Sequence, residues 1–413
     1  MAIDKLQTDA LSNTVTATVA SFAIGANVSI NSSAVFFGNS TINTVMTASS
    51  LTIANVSLNS STIVIGSGKI AAGGVTLPSN FGVSSNTTNL LENRGGQLFF
   101  NGRRVDLVSE YRTSPAVYGY AMGGDSGAAV ATTDRITFST SVTAASTISN
   151  LSGIRHSVAG VSDGSVYGYS MGGISVATRF ATADRITFST SVTAASTVSN
   201  LSGARTGVTG VSDGSIYGYS MGGNTGPVVT TADRITFSTS VTAASTVSNL
   251  SQAREGVACV SDGSIYGYAM GGQTNVNVTT TDRITFSTSV TAASTVSNLS
   301  VARYAATGVS DGSIYGYAMG GNSGGGNLSS TDRITFSTSA TAASTVSNLS
   351  QARYGDSGVS DGSVYGYAMG GYTTTYVATT DRITFSTSVT SASTVSNLSG
   401  IRGFNAGLSD GAV

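Results

Sequence analysis

Six aspartate–arginine pairs are the residues of this chain best suited to acid–base chemistry. Asp134, Asp184, Asp233, Asp282, Asp332 and Asp381 each open the heptapeptide DRITFST, with Arg135 following the first, and a second arginine, Arg155 in the first copy, recurs 21 residues after each aspartate. An acid and a base held close could pass a proton or grip a polar substrate. A catalytic centre needs such a group once, however, and six copies at equivalent positions imply six equivalent scaffolding roles: turn hydrogen bonds and ion pairs at strand ends. Other reactive groups are scarce. One cysteine, Cys259, and one histidine, His156, exclude a disulfide framework and leave a zinc site short of ligands. Cys259 stands where other copies carry Gly210 or Gly308, which suits a small filler better than a reactive thiol. One aspartate per turn cannot supply the alternating oxygens of a calcium loop. The Asn-Leu-Ser sequons at Asn150, Asn200, Asn249, Asn298, Asn348 and Asn397 would take glycans only in a secretory pathway. The first 25 residues show no basic region followed by an apolar run, hence no expected signal peptide, and the asparagines read as scaffold. The expectation is a chain without enzymatic activity, cofactor or metal.

What positions these residues is a repeat. The intervals between successive DRITFST copies are 50, 49, 49, 50 and 49 residues, a period that, with short alternating strands, points to the blades of a β-propeller. In the unit Arg303–Ser350, four strands are expected: TGVS, SIYGYAMGG, DRITFST and STVSNLS. An Asp-Gly hairpin signal, SDGS, joins the first two. In the second strand Tyr315, Tyr317 and Met319 alternate with Ile314, Gly316 and Ala318, so the bulky face of one blade can fill the small face of the next. The second to fourth strands occur six times from Ala116, and the first strand also occurs six times, but out of phase. The last eleven residues, GFNAGLSDGAV, are then the missing first strand of blade one, and the reading is an all-β, six-bladed propeller closed by its C-terminal strand.

The basic residue Arg303, the apolar GVS, the DG turn, IYGYAMGG with its double glycine Gly320-Gly321, and two further strands resemble a kelch repeat. That resemblance implies a kelch-like propeller whose first strand lies nearest the axis; the aromatic residues that kelch repeats carry in their last two strands are absent here, with Phe336 the nearest substitute. Enzymes occur on propellers, but galactose-oxidase-type copper chemistry needs two histidines and a Cys–Tyr crosslink, and sialidase Asp boxes have a different Ser/Asp spacing from SDG.

Residues 1–112 differ from the propeller segment, 113–413. ANVSINSSAVFFG at Ala26–Gly38 returns as ANVSLNSSTIVIG at Ala54–Gly66. Short uncharged strands of this kind bury too little alone, so an extended fibrous β-rich stalk sharing its core among three chains is expected. This texture, and LFFNG within Leu90–Arg112, resembles the appendage proteins of tailed bacteriophages, particularly those of marine bacteria. The resemblance implies a tail-fibre-like structural protein located in the virion, trimeric through residues 1–112 and in contact with other virion proteins. A net charge of −1 and 9% charged residues give no footprint for nucleic acid or an anionic membrane, and no apolar stretch long enough to span a bilayer is present.

Differences among the copies concentrate after the double glycine and after the recurring arginine. In an up-and-down meander both places fall on one face of the ring, while SDGS and TSVTAAST scarcely change. The chain enters at the second strand, on the uniform face, which leaves the variable face outward. The expected function is receptor binding on a bacterial surface, to a glycan or a protein, through His156, Arg179, Phe180, Asn275, Asn277, Tyr304, Asn322, Tyr354, Asp356, Tyr372, Tyr376 and Phe404. Tyrosine and asparagine are favoured in adaptable binding loops. Two alternatives stay open: a decoration protein serving assembly, and a glycan-degrading enzyme, for which Asp356 and Glu255 are too few acids in different blades.

Overall fold

Alternating bulky and small residues along YGYAM let each blade bury both faces, and the computed structural model builds that pattern six times. It describes residues 116–411 and five short upstream strands, Val28–Ile30, Val35–Phe37, Leu91–Arg94, Gln97–Phe100 and Arg103–Val105. The chain divides into Met1–Leu77 and Pro78–Val413. In the first unit Val28–Ile30 pairs antiparallel with Val35–Phe37; in the second, the other three upstream strands form a small antiparallel sheet. The expected stalk otherwise lies outside the described residues.

Residues 116–411 form six four-stranded antiparallel sheets. Blade five shows the pattern: Thr307–Ser310, Tyr315–Met319, Thr331–Thr335 and Ala340–Ser344, paired in chain order. Blade one is assembled from both ends of the array, because Ala406–Ser409 pairs with Tyr118–Asp125. The fourth strand corrects the sequence reading. It lies in TSATAAST, not STVSNLS, which folds back toward the next blade, through a 3-10 turn at Thr295–Ser297 in blade four. The physical reason is a plug. In STVSNLS the leucine, Leu151 in the first copy, is buried, and Asn150 accepts the Thr133 N–H at 2.9 Å. All six sequon asparagines accept a third-strand N–H in this way.

Seams between blades repeat one design. Tyr120 stacks on Phe188 of blade two with ring centres 5.9 Å apart, and its hydroxyl pairs with Ser191 Oγ at 2.8 Å. A Cβ on Gly119 would lie 2.8 Å from Phe138, so that position of the small face admits only glycine. Along the third strand alternation separates each Asp-Arg pair. The aspartate points into the seam and meets not the arginine that follows it by 21 residues but the recurring arginine that precedes it in the chain, which enters its blade from the link: Arg155–Asp184, Arg205–Asp233, Arg254–Asp282, Arg303–Asp332, Arg353–Asp381 and, closing the ring, Arg402–Asp134, all at 2.7–3.0 Å and sealed from water. Burial pulls Arg155 below its ordinary pKa, opposed by Asp184. The adjacent arginine turns the other way and covers a tyrosine ring, Arg135 over Tyr118 at 4.3 Å.

Six serines in the turn between third and fourth strands, Ser191 among them, hold φ of 56–58°, a region that costs a residue with a Cβ about 1–2 kcal/mol. Glycine would remove that cost but also the hydroxyl that satisfies a buried tyrosine. Ser191→Ala is therefore expected to destabilise by about 1–3 kcal/mol, since it keeps the strain and orphans Tyr120 Oη. Ser191→Gly should cost less. Denaturant midpoints check the order Ser > Gly > Ala; equal midpoints for all three would contradict it.

Candidate recognition face

Toward the axis the first strands pack so closely that a Cβ on Gly210 would lie within 2 Å of the Gly160 carbonyl oxygen. Where the chain turns from the recurring arginine into each first strand, six residues take positive φ: Ser157, Gly207, Gly256, Ala305, Gly355 and Phe404. Each donates its N–H to the carbonyl of the equivalent residue in the preceding blade, at 2.5–3.1 Å, and Ser157 donates to Phe404. The result is a closed collar of six backbone hydrogen bonds. It surrounds an axial cup of about 290 Å³ whose wall includes Glu255, Gln273, Tyr304 and Phe404. Cys259 lines the cup in the place of a glycine; it is only partly covered, yet the strands around it push its thiol up to about 11, far from a thiolate at neutral pH.

Outside the collar, each segment after the double glycine forms a short hairpin pinned to the arginine segment by backbone bridges such as His156↔Ile174, Tyr304↔Asn322 and Tyr354↔Tyr372. Side chains then link blade to blade. Arg179 Nη2 donates to Asn224 Oδ1 at 3.1 Å, Asn224 Nδ2 to Glu255 Oε1 at 3.2 Å, Asn277 Nδ2 to the Asn322 carbonyl at 2.8 Å, and Asn327 Nδ2 to the Thr373 carbonyl at 2.7 Å. Burial, and after it the nearby Asp125 carboxylate, raise the pKa of Tyr376. Asp125 Oδ2 lies 4.0 Å from His156 Nε2.

The structure therefore sorts the residues that the sequence singled out. Arg179, Asn277 and Asn322 brace neighbouring hairpins. Asn275 is exposed near a hairpin tip and Phe180 is half-buried beside the Arg205 segment, its carbonyl accepting the Arg205 N–H. Asp356 is 7% exposed, and both carboxylate oxygens are closed to solvent without a hydrogen bond, so no ligand on the surface reaches them as the protein stands. The aromatic residues converge. Tyr354 is the hub, with ring centres 5.6 Å from Tyr304, 5.5 Å from Tyr372 and 5.6 Å from Phe404; Tyr376 extends the tract from Tyr372 at 5.1 Å, and His156 continues it from Phe404 at 6.3 Å. All are half-buried. Asp125, absent from the sequence candidates, joins this tract at the seam of blades six, one and two; its position directly after Gly123-Gly124, matching Tyr372 in blade six, was the available signal.

On the opposite face the loops are fixed by repeated contacts. Asp311 Oδ1 accepts the N–H groups of Ser313, Ile314 and Tyr315, and the turn serines hold the buried tyrosines. Uniformity there follows from packing. Among the described residues no three His, Cys, Asp or Glu side chains lie close enough to hold a metal.

No family model and no curated protein matches the chain. Its fold does have solved counterparts: 194 chains resemble it. One, described as "Structure of YjhT", aligns at a TM-score of 0.51 and 12% identity over 68% of this chain and 98% of its own. At that identity the likeness is one of fold.

Proposed function

We propose that this chain is a non-enzymatic recognition protein of a bacteriophage particle: a kelch-like propeller on a trimeric, β-rich N-terminal stalk, part of a tail-fibre-like appendage whose variable face meets a bacterial surface receptor. The observation that carries this reading is the contiguous aromatic tract, which lies on one face and spans blades five, six, one and two. A repeat scaffold has no packing need for it, since the equivalent positions elsewhere are filled by Thr206, Asn224 and Gln273. A few aromatic anchors commonly dominate a binding surface. The chain enters the propeller at the opposite end, where Val117 N and Tyr118 N donate to Asp410 Oδ1, so a stalk attached there leaves the tract outward. The absence of enzymatic activity is supported by the sealing of the six repeated aspartates in ion pairs and by the distance in sequence and blade between Asp125 and Glu255.

Competition tests the reading. Purified full-length protein, expected by light scattering at the mass of three chains, should block adsorption of particles that carry it. Adsorption unchanged at saturating protein would favour a role in assembly alone.

A further inference from the structure

The aromatic tract has a chemistry narrower than receptor binding in general. Its polar neighbours are acids: Asp125, 4.0 Å from His156 of the tract, at one end, and Glu255, which lines the axial cup with Tyr304, at the other. No free cation offsets them among residues 116–411. The recurring arginines are paired with aspartates or lie over tyrosines on the third strands, Arg179 is held by Asn224, and the other cations, Lys5, Lys69, Arg94, Arg103, Arg104 and Arg112, precede residue 116. Burial lowers the pKa of His156, with Asp125 only partly opposing, so the imidazole is neutral at neutral pH. An anionic ligand would meet like charge and no partner.

Resting on the reading that this face recognises a receptor, we propose that the tract binds a neutral saccharide chain, with sugar rings laid on Tyr354 and its neighbours and vicinal hydroxyls donating to Asp125. Neutral sugars offer an apolar ring face to an aromatic ring and hydroxyl donors to a carboxylate. A quaternary ammonium group would also suit aromatic rings beside acids. It is a single compact centre, however, whereas here successive ring centres 5.1–6.3 Å apart run across four blades, which suits a chain of linked rings. The backbone bridges Tyr304↔Asn322, Tyr354↔Tyr372 and Tyr372↔Tyr376 hold the chain that carries the rings, so the tract is ordered before a ligand arrives and loses little freedom on binding.

The test uses the full-length protein and three groups of probes: neutral oligosaccharides of glucose, galactose, mannose, rhamnose and N-acetylhexosamines in both anomeric linkages; acidic oligosaccharides carrying sialic or uronic acids; and choline. Binding is read by calorimetry and by ligand-observed NMR. Saturable binding of at least one neutral oligosaccharide is expected, weakened about tenfold or more by Tyr354→Ala and less by Tyr376→Phe, which keeps the ring and removes only the hydroxyl. Val192→Ser, on the opposite face, should leave binding unchanged. A Tyr354→Ala protein that fails to melt like the parent leaves Tyr376→Phe and the probe preference to decide. Preference for acidic sugars or for choline, binding insensitive to both tyrosine variants, or no binding by any neutral probe would overturn the proposal. In that last case, particle adsorption still blocked by the protein would leave receptor recognition standing and place its chemistry elsewhere.

Discussion

A chain ending at Arg402 is expected to lose cooperative unfolding. The missing residues supply the first strand of blade one, with Ala406, Gly407, Leu408 and Ser409 paired to Met122, Ala121, Tyr120 and Gly119. Leu408 and Ala406 are buried in the seam with Tyr120, Met122 and Phe188, so their removal opens that core and leaves the Tyr118–Asp125 strand as a bare edge. The axial collar is also cut, because Phe404 donates to Gly355 and accepts from Ser157. Burying one leucine contributes about 2–5 kcal/mol as judged by its truncation, and adding the ladder bonds and the collar brings the loss to the size of a typical domain's whole stability, about 5–15 kcal/mol. Arg402 remains and keeps its pair with Asp134, so the deficit is assignable to the strand. Calorimetry should show a broad or absent transition, restored when a peptide of residues 403–413 is added. A melting curve like the parent's would contradict the closed ring.

Asp356→Val is expected to stabilise the protein. The equivalent residues in blades two, three and four are Val158, Val208 and Val257, each packed in a seam, whereas Asp356 places a carboxyl there with no hydrogen bond and with Arg353 Nε 3.9 Å away. Burial pushes its pKa up from 3.8 to about 7, with Arg353 opposing. The folded pKa exceeds the unfolded one, so between about pH 4 and pH 7 the folded chain holds a proton that the unfolded chain has released, and stability falls as pH rises through that window. Above it the penalty is complete. The valine variant should therefore gain most above pH 7, by about 1–4 kcal/mol, the range found when buried charged groups are replaced by apolar ones, and least near pH 4. Chemical denaturation at pH 4.5 and pH 8 checks both the gain and its sign; a variant less stable than the parent at pH 8 would show that the carboxylate is satisfied in solution.

The propeller was legible because its signals are long-range and repeated. The Tyr/Met against Gly/Ala alternation in YGYAM reports two buried faces, and the phase shift between strand counts reports closure by Ala406–Ser409. The fourth strand was not legible for the opposite reason. It is the outermost strand, Val142 there is 46% exposed, and its alanines carry little pattern, whereas Leu151 and its neighbours in STVSNLS carry apolar spacing that belongs to a plug. The role of the Asp-Arg pairs as scaffold followed from their number, but the partner of each aspartate, the arginine that precedes its blade and not the one 21 residues after it, depends on how the link folds back. For the candidate site, residue type found the aromatic tract, while Asp356, Arg179 and Asn277 show its limit: side-chain chemistry does not reveal whether a loop residue points to solvent, into a seam or along the ring. Uneven variation between the faces also proved ambiguous, since Asp311 and Ser191 illustrate packing demands that keep one face uniform, and the composition of the other face is the more informative signal.

The most direct test of the proposed recognition face is the adsorption competition run with paired variants. Full-length protein carrying Tyr354→Ala and Tyr372→Ala should compete about tenfold or more less well than the parent, while protein carrying Val166→Ser and Val192→Ser, exposed residues of the opposite face, should compete as the parent does, each variant first shown to melt as a single folded species. The reverse order, with the tyrosine variant fully active and the valine variant impaired, would place recognition on the wrong face of this ring and contradict the account.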